Sequence, residues 1–215
     1  MFRDRADAGT KLAKALELYR DQNVLVLGIP RGGVETAYYV ARHLNADFSV
    51  IISRKLPFPD NPEAGFGAMA EDGSIFTFEH FKGYLPRPVV QRIIEEQRQE
   101  IRRRIAAFRQ SQPLPPIEGR TVIVIDDGIA MGSTMRASVM LCRNKNAARV
   151  VVGAPVAAPE TVEVFKKLAD DVVILETPEF FQAVAQVYLN WYDLSDEEVL
   201  AILDRWQNEK QAKSR

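Results

Sequence analysis

Cysteine is nearly absent. Cys142 stands alone in 215 residues, so no disulfide can form within the chain, and a thiolate-rich zinc site is ruled out in practice. Histidine is almost as scarce. His43 and His80 lie far apart in the chain, which leaves little for an imidazole-held metal. No apolar run approaches the ~20 residues that cross a bilayer. The first ten residues mix both signs of charge without an apolar core, unlike a secretory leader. An excess of one charge is missing too. The 28 Lys and Arg against 29 Asp and Glu give a formal net charge of -1, so no global basic field points to nucleic acid. These absences lead to the expectation of a reduced, cytoplasmic, globular protein with no nucleic-acid partner and no membrane contact.

Hydrophobic residues make up 47% and charged residues 27%, the usual balance of a soluble domain. A compact chain of this length buries roughly 70% of its unfolded surface, so a single domain over residues 1–215 is expected. Short apolar runs at 24–27, 48–52, 121–125, 150–153 and 172–175 alternate with helical periodicity. Ala8, Leu12, Ala15, Leu16 and Tyr19 recur at helical spacing, as do Val34, Ala37, Tyr38, Ala41 and Leu44. Buried strands between helices predict an α/β fold with a mainly parallel sheet.

The alternation breaks over residues 56–88, which are rich in proline and glycine. Residues 67–70 and 75–78 flank Glu71-Asp72-Gly73-Ser74, a pattern that predicts a hairpin. An excursion of this length is expected to be an inserted lid or binding loop. A charged helix is expected over 89–108, with a thin apolar stripe of Val90, Ile94, Ile101, Ile105 and Phe108, followed by a proline-rich linker over 111–119. Ser195 and Glu198 form a capping box for a last helix to about residue 207.

The stretch that carries chemistry is 121–134. An apolar strand ends in Asp126-Asp127, and the loop Gly128-Ile129-Ala130-Met131-Gly132-Ser133-Thr134 leads into a helix. Open α/β sheets bind ligands at the carboxyl ends of their strands. Backbone amides at a helix start favour a phosphate. The two glycines let the backbone approach a ligand, and Ser133 and Thr134 supply hydroxyl donors. Asp126 and Asp127 cannot favour a phosphate, but they suit sugar hydroxyls or a metal. Phosphate beside polyol describes a ribose 5-phosphate. The Asp-Asp pair alone would read rather as a helix cap; the whole strand-loop-helix unit is more specific.

That unit, Val122-Ile123-Val124-Ile125-Asp126-Asp127 with its loop, resembles the 5-phosphoribosyl-1-pyrophosphate (PRPP) motif of type I phosphoribosyltransferases. The likeness extends over most of the chain, and is greatest to predicted bacterial members whose base is undefined. It implies a three-layer α/β/α, Rossmann-like fold with a hairpin or lid insertion at about 56–88 and a C-terminal hood at about 178–215. It implies transfer of the phosphoribosyl group of PRPP to a nitrogenous base, with Mg2+ and release of pyrophosphate, as part of nucleotide metabolism. A homodimer is also implied, and a PRPP-sensing regulatory protein of the same fold is the alternative.

By the same resemblance, Asp126 and Asp127 are the catalytic pair on the ribose hydroxyls, and 128–134 cradle the 5-phosphate. Arg31, Gly32 and Gly33 would face the pyrophosphate, with Arg54 or Lys55 near it or the base. Mg2+ would be held mainly by substrate and water, with no direct protein ligand assigned. The chain departs from the purine-salvage pattern in having Ala130 where those members carry an aspartate. Met131 also stands where threonine is more usual.

Two further groups are expected to be ordinary. Arg98, Arg102, Arg103, Arg104 and Arg109 alternate with Glu95, Glu96 and Glu100 and read as a solvated helix face. Phe180, Phe181, Tyr188, Trp191 and Tyr192 could stack on a heterocycle, but core packing explains them as well.

Overall fold

The computed structural model describes residues 1–213. Its centre is a five-stranded sheet in the order β2-β1-β6-β7-β8. The strands are β1 (Leu25–Gly28), β2 (Asp47–Val50), β6 (Thr121–Ile125), β7 (Arg149–Val156) and β8 (Asp171–Glu176). Every pairing is parallel. Parallel strands need covering on both faces. Helices α1 (Arg5–Ala15) and α2 (Gly32–Leu44) lie on one face, and α4 (Ser133–Asn144) and α5 (Pro159–Leu168) on the other. Val122 to Ile125 are wholly buried, each contributing about 1.5–3 kcal/mol of apolar burial. The resulting three-layer α/β/α architecture is the one the family resemblance implies.

A second sheet, β3-β4-β5, is antiparallel. It comprises β3 (Ser53–Phe58), β4 (Asn61–Ala70) and β5 (Ile75–Thr77). Helix α3 (Arg87–Arg109) and helix α4 both pack on it. The predicted hairpin over 71–74 is present, but the excursion as a whole is not a free lid. Leu56, Phe66, Ala68, Met69 and Ala70 are buried, because Met69 joins the core shared with α3 while Ala68 and Ala70 join the core shared with α4. The tip at 59–63 is exposed, as are the hairpin turn at 72–73 and positions 79–80, 82–84 and 86–88.

The strand expected over 48–52 stops at Val50, because Ile51 and Ile52 carry the chain from one sheet to the other. Glu71 fixes the crossing. Its carboxylate accepts the Ile52 amide at 2.9 Å and its own amide donates to the Ile52 carbonyl at 3.0 Å. Arg109 pairs with that carboxylate and donates to the Val50 carbonyl at 3.2 Å. Arg109 is buried, and so is Arg104. The arginine cluster is therefore not simply a solvated face: these two lie on the apolar stripe with Ile101 and Phe108.

The C-terminal hood is also divided. Helix α6 (Asp196–Lys213) opens on the expected capping box, with the Ser195 amide donating to Glu198 at 2.8 Å and the Glu198 amide to the Ser195 hydroxyl at 3.2 Å. It then runs past residue 207 against α2 and α3, with Trp206 among Tyr38 and Phe48. The irregular stretch before it, together with Asp196 at its start, reaches the carboxyl edge of the sheet. Among the described residues no helix is long and apolar enough to cross a membrane.

Candidate active site

Strands β1 and β6 are neighbours in register, Gly28 beside Ile125, so the loops at their carboxyl ends lie side by side. The Ile29 amide donates to the Ile125 carbonyl at 2.9 Å. Beyond this point β1 leads through Pro30 and Arg31 into α2, and β6 leads into Asp126 and Asp127. The first turn of α2 rests on the acidic pair. A Cβ on Gly33 would lie 2.8 Å from the Ile125 carbonyl oxygen, and one on Gly32 would lie 1.7 Å from Asp127 Oδ2. These glycines make room for the aspartate, a role distinct from the ligand-facing amides expected of them.

A cleft of about 320 Å³ opens above this junction. Arg5, Arg31, Arg54 and Arg104 reach it from four elements, and Asp126, Asp127 and Asp193 share its wall with Val184 and Trp191. Three of the arginines have a carboxylate partner. Arg5 Nε donates to Asp127 at 2.7 Å, Arg31 faces Asp196 at 3.8 Å, and Arg104 donates to Glu100 at 2.9 Å. Arg103 and Arg104 hold the Glu100 carboxyl down to about 2. Arg54 has no ion pair among the described residues and is held by Gln97 at 3.2 Å. Burial, followed by repulsion from Arg104, makes its guanidinium easier to deprotonate than usual, so its charge is the least compensated in the cleft.

Asp126 and Asp127 differ in surroundings. Asp127 is buried, with its carboxylate on Arg5 and its backbone carbonyl accepting the Tyr188 hydroxyl at 2.7 Å. Asp126 accepts the Asp127 amide at 2.9 Å. Removal from water, and then the neighbouring Asp127 charge, push the Asp126 carboxyl well above the usual carboxylate range.

The loop after the pair splits in two. A Cβ on Gly128 would lie 2.4 Å from Val184, so the space beside this glycine is filled by the protein rather than left to a ligand. Ile129 is buried, and its amide donates to Val156 at 2.8 Å while its carbonyl accepts from Ala158 at 3.1 Å. That amide is committed to the sheet. Residues 130–134 lead into the start of α4. Gly132, at φ +72°, caps α4 without any side-chain hydrogen bond, and the first amides of a helix have no partner within it. Met131 is exposed, and Ser133 is buried at the helix start.

Arg54 and Lys55 point apart, as neighbours on a strand do. Arg54 faces the cleft. The Lys55 stem instead covers Gly65, and its ammonium donates to the Glu63 carbonyl. Arg5 and Arg104 were missed in the sequence reading. The signal available was an arginine at core spacing: Arg5 with Ala8 and Leu12, Arg104 with Ile101 and Phe108. A larger cleft of about 550 Å³, between the 113–118 linker and Asn144, gathers no comparable set of cations.

Residues 3–190 match the family described as "Phosphoribosyl transferase domain". A Mycobacterium tuberculosis protein that carries a provisional phosphoribosyl transferase name is 40% identical over 207 residues, 95% of this chain and 47% of that protein. The chain thus spans about half the length of this curated relative. The crystal structure of TT1426 from Thermus thermophilus is 40% identical with a TM-score of 0.80, covering 95% of this chain and 98% of that one. The AQ2163 protein from Aquifex aeolicus, 13% identical with a TM-score of 0.52 over 80% of this chain and 73% of its own, shares the fold.

Proposed function

Because the chain belongs to the phosphoribosyl transferase domain family, we propose that its cleft binds PRPP and transfers the 5-phosphoribosyl group to a nitrogenous base, releasing pyrophosphate with the help of Mg2+. The observation that carries this reading is the convergence of Arg31, Arg54 and Arg104 beside Asp126 and Asp127, at the carboxyl ends of β1 and β6. Guanidinium groups suit phosphate oxygens, and carboxylates suit ribose hydroxyls. The amides of 130–134 at the start of α4 suit the 5-phosphate.

In the reaction, the bond from C1 of the ribose to pyrophosphate breaks, and its electron pair leaves with the pyrophosphate. A ring nitrogen of the base forms the new bond and releases its proton to water. Positive charge develops at the sugar between these events. The acidic pair lies where it would oppose that charge, and a developing cation beside Asp126 favours its ionised form. The three arginines neutralise the departing pyrophosphate. The cleft's carboxylates are hard oxygen donors of the kind Mg2+ accepts. With Asp127 engaged by Arg5, Asp126 and Asp193 are the carboxylates that would face the ion, and most of its ligands would come from substrate and water. When bound it would add positive charge against the pyrophosphate. Ala130 offers no proton acceptor to the base, so the chain's chemistry differs there from a carboxylate-assisted purine transfer.

The test is calorimetric titration of the protein with PRPP and Mg2+, beside the Asp126→Asn/Asp127→Asn variant. Binding that weakens more than about tenfold (~1.4 kcal/mol) in the variant supports the site. A screen of bases for pyrophosphate release then separates a transferase from a PRPP sensor. A wild type that ignores PRPP refutes the reading.

A further inference from the structure

We infer that Arg5 is the counter-charge that allows an acidic pair to receive a polyanionic sugar phosphate: it neutralises and orients Asp127, acting as a positioning residue from the first helix. This rests on the proposed PRPP site and deepens it.

Two adjacent carboxylates in a partly desolvated cleft would repel a ligand that carries several negative charges, and the repulsion grows as water is excluded. The fold supplies one guanidinium against this. Arg5 is 3% exposed and its Nε lies 2.7 Å from Asp127 Oδ2. Nothing in its placement is loose. Nη1 donates to the Tyr192 carbonyl at 2.9 Å, and the guanidinium carbon sits 4.1 Å from the centre of the Trp191 ring. A buried arginine held on a carboxylate, a carbonyl and an aromatic face has one orientation, and it imposes that orientation on Asp127.

The rest of the wall fits this role: Arg31, Arg54 and Arg104 line the same cleft as the Arg5–Asp127 pair. Asp126 remains the freer carboxylate for a sugar hydroxyl, and Asp127 contributes the oxygen that Arg5 leaves open.

The experiment compares wild type, Arg5→Lys, Arg5→Met and Arg5→Met/Asp127→Asn by titration with PRPP and Mg2+, with a thermal unfolding curve for each. Arg5→Met is expected to lose tenfold or more in affinity, and Arg5→Lys to lose only a few-fold. The double variant should bind more tightly than Arg5→Met, because the uncompensated charge has gone while Asn still bonds a hydroxyl. A folded double variant that binds no better than folded Arg5→Met overturns the inference. If Arg5→Met does not fold, recovery of a folded protein on adding Asp127→Asn supports it, and failure to recover shows that packing was lost rather than charge balance. A wild type that ignores PRPP refutes the reading of the cleft instead. The order of unfolding temperatures among the same variants then still decides the charge pairing of Arg5 with Asp127.

Discussion

A methyl group on Gly32 would lie 1.7 Å from Oδ2 of Asp127 and 2.8 Å from Nε of Arg5. The helix that begins at Gly32 and the buried ion pair can occupy their positions only because that residue has no side chain. Gly32→Ala is expected to displace Asp127 and lower PRPP affinity by tenfold or more. Overpacking of this kind costs about 1–3 kcal/mol of stability, so the variant should still fold. Calorimetry and a denaturant curve would measure the two effects, and unchanged affinity would show that Asp127 does not need its observed position.

Arg54 and Lys55 are neighbours in sequence with opposite prospects. Arg54→Ala removes the least compensated cation of the cleft and should weaken PRPP binding by about tenfold (~1.4 kcal/mol). Ribose 5-phosphate, which lacks the pyrophosphate, should be affected much less. Lys55→Ala should change either affinity by less than about twofold, a few tenths of a kcal/mol. Equal losses for the two variants would contradict the assignment of Arg54 to the pyrophosphate.

Asp126 carries a stability cost that depends on pH. Its raised carboxyl keeps a proton in the folded state at pH values where the unfolded chain has released it. Stability therefore falls as pH rises from the ordinary aspartate value of about 3.9 toward the raised one. Asp126→Asn removes that slope. Its unfolding temperature should exceed that of the wild type at pH 7, with the gain shrinking as pH approaches 4. Parallel curves across the range would mean that the carboxyl titrates normally.

Glu71 and Arg109 are 8% and 6% exposed in their side chains and fix the passage from one sheet to the other. Removing one partner of a buried pair leaves the other charged and unpaired, at a cost of about 3–5 kcal/mol. Arg109→Met should lose that much in urea unfolding. Glu71→Gln should lose less, because the amide oxygen can still accept from Ile52. Arg54 and the cleft lie on the elements this pair connects, so ligand affinity should fall with stability in both.

The layers of the fold were legible from periodicity alone. Val34, Ala37, Tyr38, Ala41 and Leu44 are buried on α2, and the central strand is the β-branched run 121–125. The acidic pair and the loop toward α4 were legible because strand, carboxylates and helix start are contiguous. What sequence could not separate was which neighbour faces the cleft, since the pleat that turns Arg54 in and Lys55 away depends on the register of β3 against β4. Nor could it assign the space beside Gly128, which Val184 fills from far along the chain. Arg5, Arg104 and Arg109 were hidden by a habit of reading arginine as surface. Each stands at the spacing of a core residue, and each is buried on a carboxylate.

The clasp of Arg5 bears on when the site comes into being. Asp127 stands 122 residues after Arg5, and Tyr192 stands 187 after it. As the chain leaves the ribosome, the strands and helices up to β8 can dock before the residues from 184 to 192 have emerged. The contact with Tyr192 cannot form until those last residues are available. The sheet is then complete while the wall that holds Trp191 against Arg5 is still missing. A nascent or shortened chain ending near residue 180 would have the strands of the central sheet but neither the finished cleft nor the α6 packing on α2 and α3, so the capacity to hold a reactive sugar phosphate arrives only after the strands beneath it have been made.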